Sequence, residues 1–97
     1  MNRLRIKICG ITTPADARLA ADAGADAVGL NFYPRSPRYV DPARAAELLR
    51  ALPPSVQPVG VFVAEPVRTV VAAATRLGLR TVQWVGDRPE EIGRAHV

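Results

Sequence analysis

The chain has 97 residues, of which 48% are hydrophobic and 23% charged, with a net charge of +4, one cysteine and one histidine. A single cysteine excludes an internal disulfide and a CxxC zinc pair, no apolar run is long enough to span a membrane, and Met1 to Arg5 shows no signal-peptide pattern, so the expected compartment is the cytoplasm. The positive charge does not point to nucleic acid, because the arginines are scattered over helices and loops without clustered aromatics on which bases could stack.

The first predicted element runs into Lys7-Ile8-Cys9-Gly10-Ile11-Thr12. Side chains alternate along a strand, so Arg5, Lys7 and Cys9 share one face and Leu4, Ile6 and Ile8 the other. In a parallel sheet packed under helices the apolar face meets the helices, which turns Lys7 and Cys9 toward whatever the sheet encloses. A nearby ammonium favours the thiolate, the form that abstracts protons or attacks carbon, so Cys9 is a candidate base or nucleophile. Taken alone it is equally a buried structural cysteine. Gly10 leaves the backbone free to turn. Thr13-Pro14-Ala15-Asp16 then starts a helix, with Thr13 as N-cap, Pro14 in the first helical position and Asp16 completing a variant of the capping box. The strand therefore ends at Cys9, and a reactive side chain at the carboxyl end of a parallel strand is where α/β enzymes keep their chemistry.

The unit repeats. The first helix, Pro14 to Ala23, stops at Gly24, and Ala27 to Phe32 forms a second strand. After the loop Tyr33 to Val40, Asp41-Pro42 opens a helix to about Leu52, Pro53-Pro54 breaks it, and Pro58 to Val63 is a near-continuous apolar strand. Pro66 opens a third helix with Val67, Val70, Val71, Ala74 and Leu77 at helical spacing, ending at Gly78, and Thr81 to Val85 makes the fourth strand. Without hairpin signals between strands, this is the grammar of a parallel sheet with crossover helices.

A closed (β/α)₈ barrel needs roughly 200 to 250 residues, so the chain is expected to be incomplete. Its last six residues, Ile92-Gly93-Arg94-Ala95-His96-Val97, are what ATC GGA AGA GCA CAC GTC encodes, a string inside a widely used sequencing adapter. Residues 92–97 are therefore expected to be translated adapter, and they are set aside from the fold together with His96, the only histidine.

The strings Lys7-Ile8-Cys9-Gly10-Ile11-Thr12, Ala25-Asp26-Ala27-Val28-Gly29, Ser36-Pro37-Arg38-Tyr39-Val40, Val59-Gly60-Val61-Phe62-Val63, and Val82-Gln83 before Gly86-Asp87 occur in this order, one near each strand or its following loop. Together they resemble phosphoribosylanthranilate isomerase, the (β/α)₈ enzyme of tryptophan biosynthesis. The resemblance implies that residues 1–91 are the N-terminal half, about four βα units, of a TIM barrel. It implies an Amadori rearrangement of N-(5-phosphoribosyl)anthranilate to 1-(o-carboxyphenylamino)-1-deoxyribulose 5-phosphate, without cofactor or metal. A general acid opens the furanose ring to an iminium, a base removes the proton from the adjacent sugar carbon, and the enolamine tautomerises to the ketone. Cys9 matches the base. Arg38 matches an arginine whose planar fork can bind the benzoate carboxylate through two hydrogen bonds, and Lys7 and Gln83 are assigned to substrate binding; Arg35 has no such support. The implied partner is a small phosphorylated sugar-anthranilate, with no nucleic acid and no membrane.

Two positions depart from the family pattern. Val85 stands where a polar inward side chain is usual, and Asn31 puts an amide where an aliphatic is usual. By alternation Trp84 falls on the face opposite Gln83 and can pack under a helix. The family's acid lies at the end of the fifth strand and its phosphate loops come later, so the isolated chain is expected to be inactive and to self-associate through exposed strand edges. Asp87 is read as a loop or capping residue. Two alternatives remain in view: another sugar-phosphate barrel enzyme, for which metal ligands at the strand ends are missing, and a non-catalytic half-barrel.

Overall fold

The computed structural model describes residues 4–86; Asp87, His96 and the segment 92–97, with the expectations attached to them, lie outside the described residues. Strands and helices alternate as β1 (Lys7–Cys9), α1 (Pro14–Asp22), β2 (Ala27–Asn31), α2 (Pro42–Ala51), β3 (Gln57–Val63), α3 (Val67–Leu77) and β4 (Thr81–Val85). The strands pair in parallel in the order β1-β2-β3-β4, so each lies beside its successor in the chain. The fold is α/β, with the βα repeat expected from the sequence.

The local chemistry of the helix ends accounts for the boundaries. The Thr13 hydroxyl accepts the Asp16 N–H at 3.1 Å and the Asp41 carboxylate accepts the Arg44 N–H at 2.8 Å, each satisfying a donor that the first helical turn leaves unpaired. Both helices carry proline in the first turn, where a missing N–H costs nothing. Helix α3 starts after Pro66 without a side-chain cap and ends at Gly78, whose φ of 75° is the left-handed conformation that closes a helix. Strand β2 stops one residue short of the expected Phe32, whose N–H still donates to the Val61 carbonyl at 2.9 Å.

The core lies between one face of the sheet and the helices. Val28 and Leu30 of β2 are buried with Ala17 and Ala20 of α1 and Ala45 and Leu48 of α2, and Ile8, opposite Val28 in register, packs against them. Alanines on both helices permit close packing, while burial of Leu48 contributes about 2 to 3 kcal/mol. Two apolar stretches depart from the expected burial. Leu4 is 81% exposed because β1 begins only at Lys7, leaving the start of the alternating segment outside the ladder. In α3 only Val70 is buried; Val67 and Val71 are more than half exposed, because the sector that meets the sheet runs through Val70 toward Leu77.

Register assigns the opposite face. Lys7 and Cys9, Gly29 and Asn31, Val59 to Val63 in alternate positions, and Gln83 and Val85 all point away from the helices. Trp84 shares the helix side with Phe62, as expected, and its indole N–H donates to the Glu65 carbonyl at 2.7 Å, seating it against the loop between β3 and α3.

Candidate active site

Cys9 is the last residue of β1, exposed on the helix-free face at the carboxyl end of the sheet. Its neighbour in register is Gly29, and the approach is close: a methyl group built on Gly29 would stand 2.6 Å from the Cys9 Sγ and 3.3 Å from its Cα. The Gly29 carbonyl accepts the N–H groups of Gly10 at 3.2 Å and Ile11 at 3.4 Å, which fixes the turn that carries the chain from Cys9 to α1. Gly10 has a φ of 83°, a conformation that side-chain-bearing residues rarely adopt.

Arg38 reaches this turn from the loop after β2. Ser36 organises that loop locally: its hydroxyl accepts the Arg38 N–H at 3.0 Å and its carbonyl accepts the Tyr39 N–H at 3.1 Å. The Val40 N–H returns to the Asn31 carbonyl at 2.8 Å, anchoring the far end of the loop on β2. The guanidinium of Arg38 donates to the Gly10 carbonyl at 3.4 Å, and the Arg38 chain lies against Gly10, with Cγ and Nη1 both 3.4 Å from where a methyl group would be. An exposed thiol and an exposed guanidinium, 29 positions apart in sequence, are thereby set around one glycine turn. Such a pair can combine proton abstraction with two-pronged recognition of an anion.

Lys7 and Gln83 meet each other. The Lys7 ammonium donates to the Gln83 Oε1 at 2.6 Å, joining β1 to β4 across the helix-free face. Lys7 therefore spends a hydrogen bond on the amide, an arrangement the sequence reading of a thiol beside an ammonium does not contain. Lower on the same face Gln57 donates to the Thr81 hydroxyl at 2.5 Å. Val85, opposite Val63 in register, adds an apolar pair near the carboxyl end. The Asn31 amide oxygen accepts the Tyr33 N–H at 2.8 Å, so this side chain caps the exit of β2. Among the described residues, no three His, Cys, Asp or Glu side chains gather as a metal site would require.

Gly29 is the site residue whose role local patterning does not disclose. A glycine inside a strand often marks a close approach, and that signal is present in Ala27-Val28-Gly29-Leu30. What approaches it depends on register with β1.

Residues 6–96 match the family described as N-(5'phosphoribosyl)anthranilate (PRA) isomerase. A relative named N-(5'-phosphoribosyl)anthranilate isomerase, from Geotalea daltonii, is 53% identical over 88 residues, covering 91% of this chain and 42% of that protein. The crystal structure of phosphoribosyl anthranilate isomerase from Thermotoga maritima is similar with a TM-score of 0.82 and 44% identity, over 95% of this chain and 45% of that one. A structure of a phosphoribosyl anthranilate isomerase in complex with reduced 1-(o-carboxyphenylamino)-1-deoxyribulose 5-phosphate is similar with a TM-score of 0.82 and 44% identity, over 95% of this chain and 47% of that one. The chain spans under half the length of these relatives.

Proposed function

Because this chain belongs to the N-(5'-phosphoribosyl)anthranilate isomerase family, we propose that the protein carrying it catalyses the Amadori rearrangement of N-(5-phosphoribosyl)anthranilate in tryptophan biosynthesis, in the cytoplasm, and that these four βα units supply the base and the carboxylate anchor. The observation that carries this reading is the placement of Cys9 and Arg38 around the Gly10 turn at the carboxyl end of the sheet.

Ring opening by a general acid gives an iminium whose neighbouring sugar carbon is acidified by the positive nitrogen. The Cys9 thiolate takes the proton from that carbon, the electron pair moves into the carbon–carbon bond, and an enolamine forms. Protonation of the nitrogen-bearing carbon, with loss of the proton from the enol hydroxyl, yields the ketone. Arg38 holds the benzoate carboxylate, fixing the reacting carbon relative to Sγ, and Lys7 with Gln83 lines the floor beneath it. The ring-opening acid and the phosphate loops belong to the part of the barrel that these four units do not include. The complex of a relative with a reduced product analogue supports this substrate class.

The 97-residue chain alone is assigned no turnover and a tendency to self-associate, since its outer strands β1 and β4 each have a neighbour on one side only among the described residues.

The test is conversion of N-(5-phosphoribosyl)anthranilate to the aminodeoxyribulose phosphate by the full-length protein, followed by chromatography. Replacing Cys9 with Ala is expected to lower kcat by about 10² to 10⁴ with little change in KM. No conversion by the unmodified protein would overturn the reading, and near-normal kcat in the Ala variant would remove Cys9 from the role of base.

A further inference from the structure

We propose that Gly29 is the positioning residue for the Cys9 thiol: the missing side chain on β2 is what allows Sγ to occupy its place at the end of β1. The inference deepens the reading above, since the thiol it positions is the assigned base.

Cys9 and Gly29 face each other in register on the helix-free face, and an added methyl group on Gly29 would lie 2.6 Å from Sγ. Non-bonded carbon and sulfur atoms do not approach that closely, so one of them must move. The Cys9 Cα, 3.3 Å from the same point, is part of the ladder and can yield by only tenths of an ångström. Sγ hangs on a single rotatable bond. The cheapest relief is therefore rotation of the Cys9 side chain out of its rotamer, which carries the thiol away from the carbon it must deprotonate.

The Gly29 main chain acts on the same turn. Its carbonyl accepts from both Gly10 and Ile11, and Gly10 in turn carries Arg38. Strain at residue 29 that is relieved by side-chain rotation leaves this clamp intact, so a Gly29→Ala variant should retain the carboxylate anchor while losing the aim of the base. The glycine is thus a determinant of kcat rather than of binding.

The experiment compares Gly29→Ala with the unmodified full-length protein in kinetics and in iodoacetamide labelling, read on the tryptic peptide from Ile8 to Arg18. The expected result is a kcat at least tenfold lower, a KM changed by less than threefold, and a labelling rate at Cys9 changed at least threefold. A kcat within twofold of the unmodified protein with an unchanged labelling rate would overturn the proposal, as would a KM rise that accounts for the whole loss. Should Gly29→Ala fail to fold, the same change is made together with Cys9→Ala. Recovery of a folded protein supports a clash centred on the thiol; failure of both means that the backbone alone needs the glycine and overturns it. Absence of isomerase activity in the unmodified protein would end the functional reading, whereas labelling and the paired variants still decide the role of Gly29.

Discussion

Arg38 owes its position to two short-range devices and one long-range contact. Ser36 accepts its N–H, Pro37 stiffens the loop, and the guanidinium bridges to Gly10. Arg38→Lys keeps the charge and loses the planar fork, so substrate binding is expected to weaken by about 1.5 to 3 kcal/mol, read as a raised KM or as a Kd for a product analogue by calorimetry. Unchanged affinity would pass the carboxylate to another residue. The Ser-Pro-Arg string makes the local part of this arrangement legible in the sequence. The partner of the guanidinium is not legible, because Gly10 stands 28 positions earlier and meets Arg38 only once β1 and β2 are in register. The same limit hides the Cys9 contact with Gly29 and the pairing of Lys7 with Gln83, whereas the thiol's place at a strand end follows from alternation and from the cap at Thr13.

At the scale of elements, punctuation determines most of the fold. Prolines at 14, 42 and 66, the caps Thr13 and Asp41, and Gly78 set helix limits that lie within a residue or two of the expected ones. Asp41→Ala should therefore cost about 1 kcal/mol, measured as a lower urea midpoint, through loss of the Arg44 N–H acceptor. What the pattern cannot say is which part of a wide apolar stripe meets the sheet, and in α3 Val67 and Val71 are left outside. The turn between β3 and α3 also escapes it. Ala64 adopts a φ of 59° with its N–H on the Val85 carbonyl at 3.2 Å, while the next carbonyl receives the Trp84 indole. Left-handed backbone costs alanine about 1 to 2 kcal/mol, and glycine gives back about 0.5 to 1 kcal/mol in unfolded-state entropy. Ala64→Gly is thus expected to stabilise by about 0.5 to 1 kcal/mol in urea denaturation; a lower midpoint would show that the alanine methyl makes a compensating contact.

For the molecule as a whole, several large apolar side chains remain exposed outside the core. They are Leu4 and Ile6 just ahead of β1, Leu19 on α1, Tyr39 in the loop after β2, Val67 and Val71 on α3 and Val82 on β4. Such exposed side chains, together with outer strands that pair on one side only among the described residues, favour association. Sedimentation velocity of the 97-residue chain is expected to show mass rising with concentration, and replacing both Val67 and Val71 with Lys should shift the distribution toward monomer. A concentration-independent monomer would remove the self-association reading and leave the isomerase assignment untouched. The repeat of βα units is readable from the residues, whereas the sheet order follows only through the family resemblance to a barrel, since the same repeat also builds doubly wound sheets; the burial of the sheet's flanks is not readable, since it depends on what stands beside them.

The bond between Lys7 and Gln83 closes a loop whose ends are 76 positions apart. By polymer statistics, holding the ends of a flexible segment of that length together costs roughly 4 kcal/mol before any constant is added. A hydrogen bond from a charged donor returns about 1.5 to 3 kcal/mol. One such bond therefore cannot gather the strands by its own strength; the ladders between them must already have reduced the distance, and the ammonium meets the amide because the sheet is curled by then. The contact registers a curvature that it did not create, and a slip in any ladder between the outer strands would open it.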